Sequence, residues 1–250
     1  MSTDTQTPED GSFFLSVLDE NRFKVKTAKA QQVSIDNLDR VLELSRENGV
    51  EFLIARCHTD DLRAAQKMEE EGFLLMDTLV CYTRDLEKPL PLETPSANIR
   101  PFHTKEIEEI LLIGKKAFKG YCGHYHADPR LEPEKCDEVY VSWIKRSCLS
   151  KEVADEVLIA EDSEQILGFA TIKINDESEI QGALYAVTPE AQGKGLCRSF
   201  MVASMLWGRL KGLKRLLYRT QITNIAAQKV LGRLGAELSY SAYTFHKWFI

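Results

Sequence analysis

Residues 185–200 read Tyr-Ala-Val-Thr-Pro-Glu-Ala-Gln-Gly-Lys-Gly-Leu-Cys-Arg-Ser-Phe, and this run of types can hold an anion. An apolar strand, Ala183 to Val187, meets Pro189 and a short loop carrying Gly193 and Gly195. An apolar-periodic segment then continues to Leu210 and predicts a helix. That order aims loop amides and a helix N-terminus at one point, where orphan N–H groups and the helix dipole both favour negative charge. Glycine lets a phosphate approach the backbone closely. The candidate binding residues are Gln192, Gly193, Lys194, Gly195, Leu196 and Cys197. Two glycines before a helix also occur at ordinary strand–turn–helix corners, so the spacing alone leaves both readings open.

The second stretch with chemical potential is Tyr121-Cys-Gly-His124-Tyr-His126-Ala-Asp128-Pro-Arg130. His-x-His-x-Asp offers imidazole and carboxylate ligands for a metal. The segment reads as a loop, however, and only His58, His103 and His246 remain as further ligands, all distant in sequence. A substrate loop fits better, with the faces of Tyr121 and its neighbours for an aromatic base. His124, His126 and Arg130 would then donate to diphosphate oxygens. A surface loop packed by its own tyrosines is the plain alternative, and Arg130 can also pair with Asp128 or Glu132. No metal is expected. Trp143, Trp207 and Trp248 read as core, and Lys211 to Arg215 as a solvated basic turn.

Composition bounds what such sites serve. The chain has 250 residues, 44% hydrophobic and 28% charged, which suits a globular protein with a substantial core. The net charge of −6 gives no general pull towards nucleic acid or an anionic membrane, so a phosphate must be captured by local geometry. The polar, acidic first residues do not resemble a signal peptide, and no apolar run approaches membrane-spanning length. Six cysteines without C-x-x-C spacing imply reduced thiols and a cytoplasmic location rather than a disulfide frame.

The elements that position these residues follow from periodicity and punctuation. Residues 1–12 are expected to be a disordered tail. Phe13 to Leu18 and Phe23 to Ala28 read as short strands, or as one strand with a turn at Glu20-Asn21, and Ile35 to Asn48 as a helix ending before Gly49. Val50 to Cys57 reads as a strand, followed by a helix capped by Asp60 and stopped by Gly72. Phe73 to Asp85 is again strand. The proline-rich stretch 88–96 reads as a linker between an N-terminal half-domain (13–87) and a larger domain (97–250). Beyond it come a strand at Ile99 to Phe102, a helix capped by Thr104 and running to Phe118, and a helix from Cys136 to Cys148. Strands at Val157 to Glu161, Ile166 to Asn175 and Gln181 to Val187 lead to the glycine loop. A strand at Lys214 to Gln221, a helix at Asn224 to Leu234 and a strand region from Glu237 complete the chain. A repeat links the two parts: Ala64-Ala-Gln-Lys recurs as Ala226-Ala-Gln-Lys, and each copy precedes a glycine and a strand.

Gln192-x-x-Gly195-x-Cys197 resembles the Gln/Arg-x-x-Gly-x-Gly/Ala signature of GCN5-related N-acetyltransferases, with Cys197 where that family has Gly or Ala. Thr220-Gln-Ile-Thr-Asn224 through Leu234-Gly235-Ala236 is similar to the family's second motif. Asn224 also reads as a helix N-cap, and the two roles can coexist. The resemblance implies an α+β acyl-CoA N-acyltransferase fold, a mostly antiparallel sheet flanked by helices. It further implies acetyl-CoA as cosubstrate, with Ala186 and Val187 amides on the acyl carbonyl and Asn224 on the cofactor arm. From Glu20 to Trp248 the chain also resembles the dTDP-4-amino-4,6-dideoxygalactose N-acetyltransferase group. On that likeness Tyr243 corresponds to the acid for the leaving thiolate, and Asp77 to the base that deprotonates the sugar amine through water. Glu is usual at the latter position. A nucleotide-sugar amine, direct transfer in a ternary complex and a homodimer are implied with it. Another small amine (an amino acid, polyamine or aminoglycoside) and a non-catalytic acyl-CoA sensor are the competing readings.

Overall fold

The computed structural model describes residues 11–90, 97–162 and 165–249. The expected linker lies largely, and the expected tail almost wholly, outside them. The chain divides into two compact units. One comprises Met1–Val80, Cys122–Lys135 and Tyr240–Ile250, and the other comprises Cys81–Tyr121 and Cys136–Ser239. No helix among the described residues is long and apolar enough to cross a membrane.

The first unit contains β1 (Phe13–Leu15), α1 (Val17–Phe23), β2 (Thr27–Val33), α2 (Leu38–Glu47), β3 (Phe52–His58) and α3 (Leu62–Glu70). It also holds the first part of β4 (Leu74–Asp85) and most of β10 (Glu237–Trp248). β1 pairs antiparallel with β2, β2 parallel with β3, and β3 antiparallel with β10. Alternation along the strands gives this sheet two different faces. Ala28, Ala30, Leu53, Ala55, Cys57, Tyr243 and Phe245 pack with Leu38, Val41 and Leu42 of α2 and with Ala64 and Met68 of α3. The opposite face carries the polar Lys29, Gln31, Arg56, Thr244 and His246 beside the apolar Phe52, Ile54 and Trp248, and its polar groups need partners where they are buried.

The second unit contains β5 (Asn98–Pro101), α4 (Ile107–Ala117), α5 (Pro133–Leu149), β6 (Glu156–Glu161), β7 (Ile166–Ile174), β8 (Glu179–Val187), α6 (Leu196–Leu210), β9 (Arg215–Gln221) and α7 (Ile225–Arg233). The first three residues of α5 cluster with the other unit. β5 to β8 form an antiparallel meander, and β9 joins β8 in parallel across the α6 crossover. One face buries Ile159, Phe169, Leu184 and Ala186 against Ile110 and Ile113 of α4 and Ile144 of α5. The other buries Ala170, Ile172, Ile180 and Leu216 against Phe200, Met201 and Met205 of α6. The architecture is the expected α+β one, with mostly antiparallel pairing and flanking helices.

Three local expectations are corrected. Residues 17–23 form a helix where strand ends and a turn are expected, because the group α1 buries is Asp19 and the exposed Val17 and Leu18 give no amphipathic signal. Asp61, one residue beyond Asp60, caps α3 by accepting from the Ala64 amide at 2.9 Å. Thr104 opens a single 3-10 turn instead of capping α4, and Glu106 accepts from the His103 amide at 2.6 Å.

The repeated tetrapeptide lies on α3 and α7. Both helices start at a side-chain cap, Asp61 or Asn224, and both are followed by a glycine at positive φ, Gly72 or Gly235. Matching cap to cap and glycine to glycine puts Ala64 on Ala227, one residue out of step with the identical letters. The helix–glycine–strand unit recurs, while the shared Ala-Ala-Gln-Lys is offset within it.

Candidate functional site

In the second unit β8 runs to Val187, a turn at Pro189–Ala191 follows, and α6 starts at Leu196. Gly193 and Gly195 have φ of 75° and 82°, the left-handed region that glycine enters without a steric penalty. Gly195 is the N-cap and has no side chain to cap α6. The first amides of a helix have no carbonyl partner within it, so they are the natural donors to a ligand at this end. A Cβ placed on Gly193 would meet nothing within 4 Å, so the loop leaves room for a bulky anion. Residues 192–197, expected to hold an anion, span the end of this turn and the first residues of α6.

The same unit opens beside that loop. β8 is bulged at Ala183: Thr171 of β7 faces Leu184, whereas Ile172 faces Gly182. The Thr171 hydroxyl accepts from the Leu184 amide at 3.0 Å, which satisfies the irregular backbone. Pairing between β8 and β9 ends at Gly182 and Tyr218, although both strands continue. The edge of β8 from Ala183 to Val187 is thereby released from β9; Leu184 and Thr188 turn their amides to β7, so by alternation Ala186 does too, and the amides facing away from β7 are those of Tyr185 and Val187.

Tyr185 and Tyr218 meet at this opening, ring centroids 5.1 Å apart. Tyr185 donates to Ser204 Oγ at 2.8 Å, and a Cβ at Gly182 would crowd its ring and hydroxyl, so a larger residue there would force Tyr185 to shift. Sequence reasoning missed both tyrosines as site residues, though an isolated glycine inside a strand pattern is the signal for such a bulge. Cys197 lies near both rings, and burial pushes its thiol up to about 11. Asn224 caps α7 through the Ala227 amide at 3.2 Å and donates to Thr220 Oγ1 at 3.0 Å. The cap role therefore uses its oxygen.

Residues 122–236 match the family model described as the acetyltransferase (GNAT) family. The chain carries a GNAT acetyltransferase domain. It is accordingly an acyl-CoA-dependent N-acetyltransferase, and the family uses acetyl-CoA as cosubstrate. Spore coat polysaccharide biosynthesis protein SpsD of Bacillus subtilis (strain 168) is 20% identical, over 96% of this chain and 82% of that protein. A functionally unknown conserved protein from Staphylococcus epidermidis ATCC 12228 superposes with a TM-score of 0.64 at 18% identity, over 100% of this chain and 96% of that one. A tandem GNAT protein from the clavulanic acid biosynthesis pathway gives 0.60 at 13% identity, over 89% and 75%. At these identities the structural likeness is one of fold.

Tyr121, in the second unit, packs on Phe118 and Tyr140, with centroids at 5.6 and 5.1 Å. Asp77 and Tyr243 lie in the first unit. Asp77 is half-buried on β4 and accepts from the Thr78 amide at 2.7 Å. Tyr243 stands on the helix-covered face of its sheet, 6.1 Å from the Phe245 ring.

His124, His126 and Arg130 belong to the segment associated with the opposite, polar face of that sheet. His246, distant in sequence, is brought to His124, with its Nε2 2.9 Å from His124 Nδ1. The Nδ1 of His246 is 2.9 Å from Asp128 Oδ2. Asp128 also accepts from Trp248 Nε1 at 2.8 Å and from Arg130 Nε at 3.0 Å. Burial alone would raise the Asp128 pKa, but these donors hold it well below the usual carboxylate range. Both imidazoles are pushed down, first by burial, and for His124 also by Arg56 and His246. Among the described residues no group of three or more His, Cys, Asp or Glu side chains is arranged to hold a metal. Next to this relay, Asp19 pairs with Lys29 at 2.6 Å and accepts from Tyr125 at 3.2 Å.

Proposed function

We propose that this acetyltransferase moves the acetyl group of acetyl-CoA onto the 4-amino group of a dTDP-linked 4-amino-4,6-dideoxysugar, by direct transfer in a ternary complex. The observation that carries the acetyl-CoA part is the opening between β8 and β9 beside the start of α6 at Gly195. Gln192, Gly193, Lys194, Gly195, Leu196 and Cys197 would hold the pyrophosphate, and Asn224 the cofactor arm. The amide of Val187 would hold the acyl carbonyl, where negative charge develops as the amine attacks; the amide of Ala186, expected beside it, is turned to β7 and is left out of this role. A thiol at Cys197 that burial keeps protonated at neutral pH supports direct attack over an acyl-cysteine intermediate.

The sugar part of the reading is supported by the name of SpsD, a polysaccharide biosynthesis protein. It is also supported by the resemblance to the nucleotide-sugar group. The amine must arrive unprotonated, which is the role proposed for Asp77 through water. The departing thiolate needs a proton, which is the role proposed for Tyr243. Tyr121, His124, His126 and Arg130 are proposed to serve the nucleotide sugar.

The test is CoA release from acetyl-CoA with dTDP-4-amino-4,6-dideoxyhexoses beside a panel of amino acids, polyamines and aminoglycosides. Turnover with the nucleotide sugar, lost mainly in kcat in Tyr243→Phe, supports the substrate and the acid together. Turnover only with another amine removes the sugar assignment. Tight acetyl-CoA binding without turnover on any amine leaves a sensor.

A further inference from the structure

The opening between β8 and β9 contains a phenol that the residues assigned so far do not use. Tyr218 is the last residue of β9 to pair with β8, opposite Gly182, and only 9% of it is exposed. Its ring packs on Tyr185, and its hydroxyl lies within electrostatic reach of Cys197, Tyr185 and Tyr121.

The two phenols differ in what they bind. Tyr185 donates to Ser204, which in turn donates to the Phe200 carbonyl at 2.9 Å, so that hydroxyl is committed to the fold. The Tyr218 hydroxyl has no hydrogen-bond partner among the described residues. It is also absent from the fully enclosed polar atoms that lack one, so solvent still reaches it. A nearly buried phenol normally finds an acceptor, since leaving a donor unmet costs about 1–3 kcal/mol. One left open to solvent at the point where two strands part is placed to meet a ligand's acceptor.

We propose that Tyr218 is a catalytic residue that donates a hydrogen bond to the carbonyl oxygen of the bound thioester, completing with the β8 amides the site where the oxyanion forms. The inference rests on the acetyl-transfer reading above and does not depend on which amine is the acceptor. No proton leaves Tyr218 in this role. The amine nitrogen bonds to the carbonyl carbon, the C=O pair moves onto oxygen and then returns as the C–S bond breaks. The thiolate takes its proton from the acid, and the amine gives its own to the base. Burial pushes the Tyr218 phenol well above its ordinary range, so it remains a donor throughout. A fixed donor that gains strength as charge grows on oxygen favours the transition state over the ground state.

The experiment compares wild type with Tyr218→Phe, which keeps the ring. Binding of acetyl-CoA and of S-ethyl-CoA, which lacks the carbonyl, is measured by calorimetry, and kcat with whichever amine turns over. The expected result is acetyl-CoA binding weakened about 3- to 10-fold with S-ethyl-CoA binding unchanged. A kcat lower by about 100- to 1,000-fold accompanies it. Equal effects on both ligands, or none on either, overturn the proposal even if no amine substrate has been found. Wild type that binds neither ligand overturns the acyl-CoA reading itself, and the role of Tyr218 with it. A Tyr185→Phe control, whose hydroxyl is already occupied by Ser204, is expected to leave the acetyl-CoA to S-ethyl-CoA ratio unchanged.

Discussion

His246 donates from Nδ1 to Asp128 Oδ2 across 2.9 Å, and neither side chain is open to solvent. That contact fixes protons along a chain of three groups. An ionised carboxylate only accepts, so His246 carries its proton on Nδ1 and presents a lone pair at Nε2. His124 must then donate from Nδ1 to that nitrogen and keep its own lone pair at Nε2. Asp128 thus sets the tautomer of two imidazoles, only one of which it touches.

Asp128→Asn retains the shape but replaces an acceptor-only group with one bearing its own donors. The amide nitrogen then faces either the His246 and Trp248 donors that share Oδ2 or the Arg130 donors on Oδ1. A loss of about 2–3 kcal/mol in folding stability is expected, the scale of a buried hydrogen bond to a charged group. Urea unfolding reads it as a lower midpoint at unchanged m-value. An unchanged midpoint would mean that the network contributes nothing to the fold.

The same network makes stability depend on pH. Both imidazoles have folded pKa values below the ordinary one. For His124 burial is the main cause, with Arg56, His246, Lys29 and His126 adding cationic repulsion. For His246 burial and Arg130 and Arg56 outweigh the attraction of Asp128. As the pH falls below about 6.5 the unfolded chain takes up protons that the folded chain refuses, so stability must fall. The limiting slope is about 1.4 kcal/mol per pH unit for each imidazole. Asp128 adds to this only below about pH 4, because its folded pKa is depressed from the carboxylate value. Chemical denaturation at several pH values between 5 and 8 tests this. His124→Gln should flatten the dependence, and a wild-type stability that is level across the range rules the mechanism out.

The legible and illegible parts of the chain divide along one physical line. The glycine loop could be read because local backbone conformation demands those glycines, and α3 and α7 because caps and periodicity lie within a few residues. α1 could not, because its buried group is a carboxylate that takes Ser16, Arg22 and Lys29 as partners. The relay was hidden for a related reason: His246 reaches His124 only through the placement of β10, which no local pattern encodes. The separation of β8 from β9 was hinted at by Gly182 alone. It depends on a bulge whose stray amide is met by Thr171 on the neighbouring strand.

Gly195→Ala forces a side chain into a backbone at φ 82°, where a Cβ costs about 1–2 kcal/mol. The strain relaxes by rotating the first amides of α6 away from their common focus. Acetyl-CoA affinity should therefore fall at least about 5-fold, with a folding loss no larger than the strain itself. Gly193→Ala separates conformation from crowding, since its Cβ would enter open space and only the φ of 75° opposes it. Calorimetric titration of both variants decides the matter. Wild-type affinity in both would place the pyrophosphate elsewhere.

Asn224 tests whether one residue serves two purposes. Its Oδ1 caps α7 through the Ala227 amide, and its Nδ2 donates to Thr220. Asn224→Asp keeps the capping oxygen and adds a charge favourable at a helix N-terminus, so the fold should be as stable or slightly more so. Asn224→Ala removes the cap and should cost about 0.5–2 kcal/mol. If the side chain only caps the helix, acetyl-CoA turnover follows stability, and Asn224→Asp behaves as wild type. If its N–H also serves the cofactor arm, Asn224→Asp loses affinity while remaining folded, because a carboxylate cannot donate and repels a phosphate-bearing ligand. Thermal unfolding and the KM for acetyl-CoA, measured on the same two variants, distinguish these outcomes. The expected pattern is a stable Asn224→Asp with a raised KM.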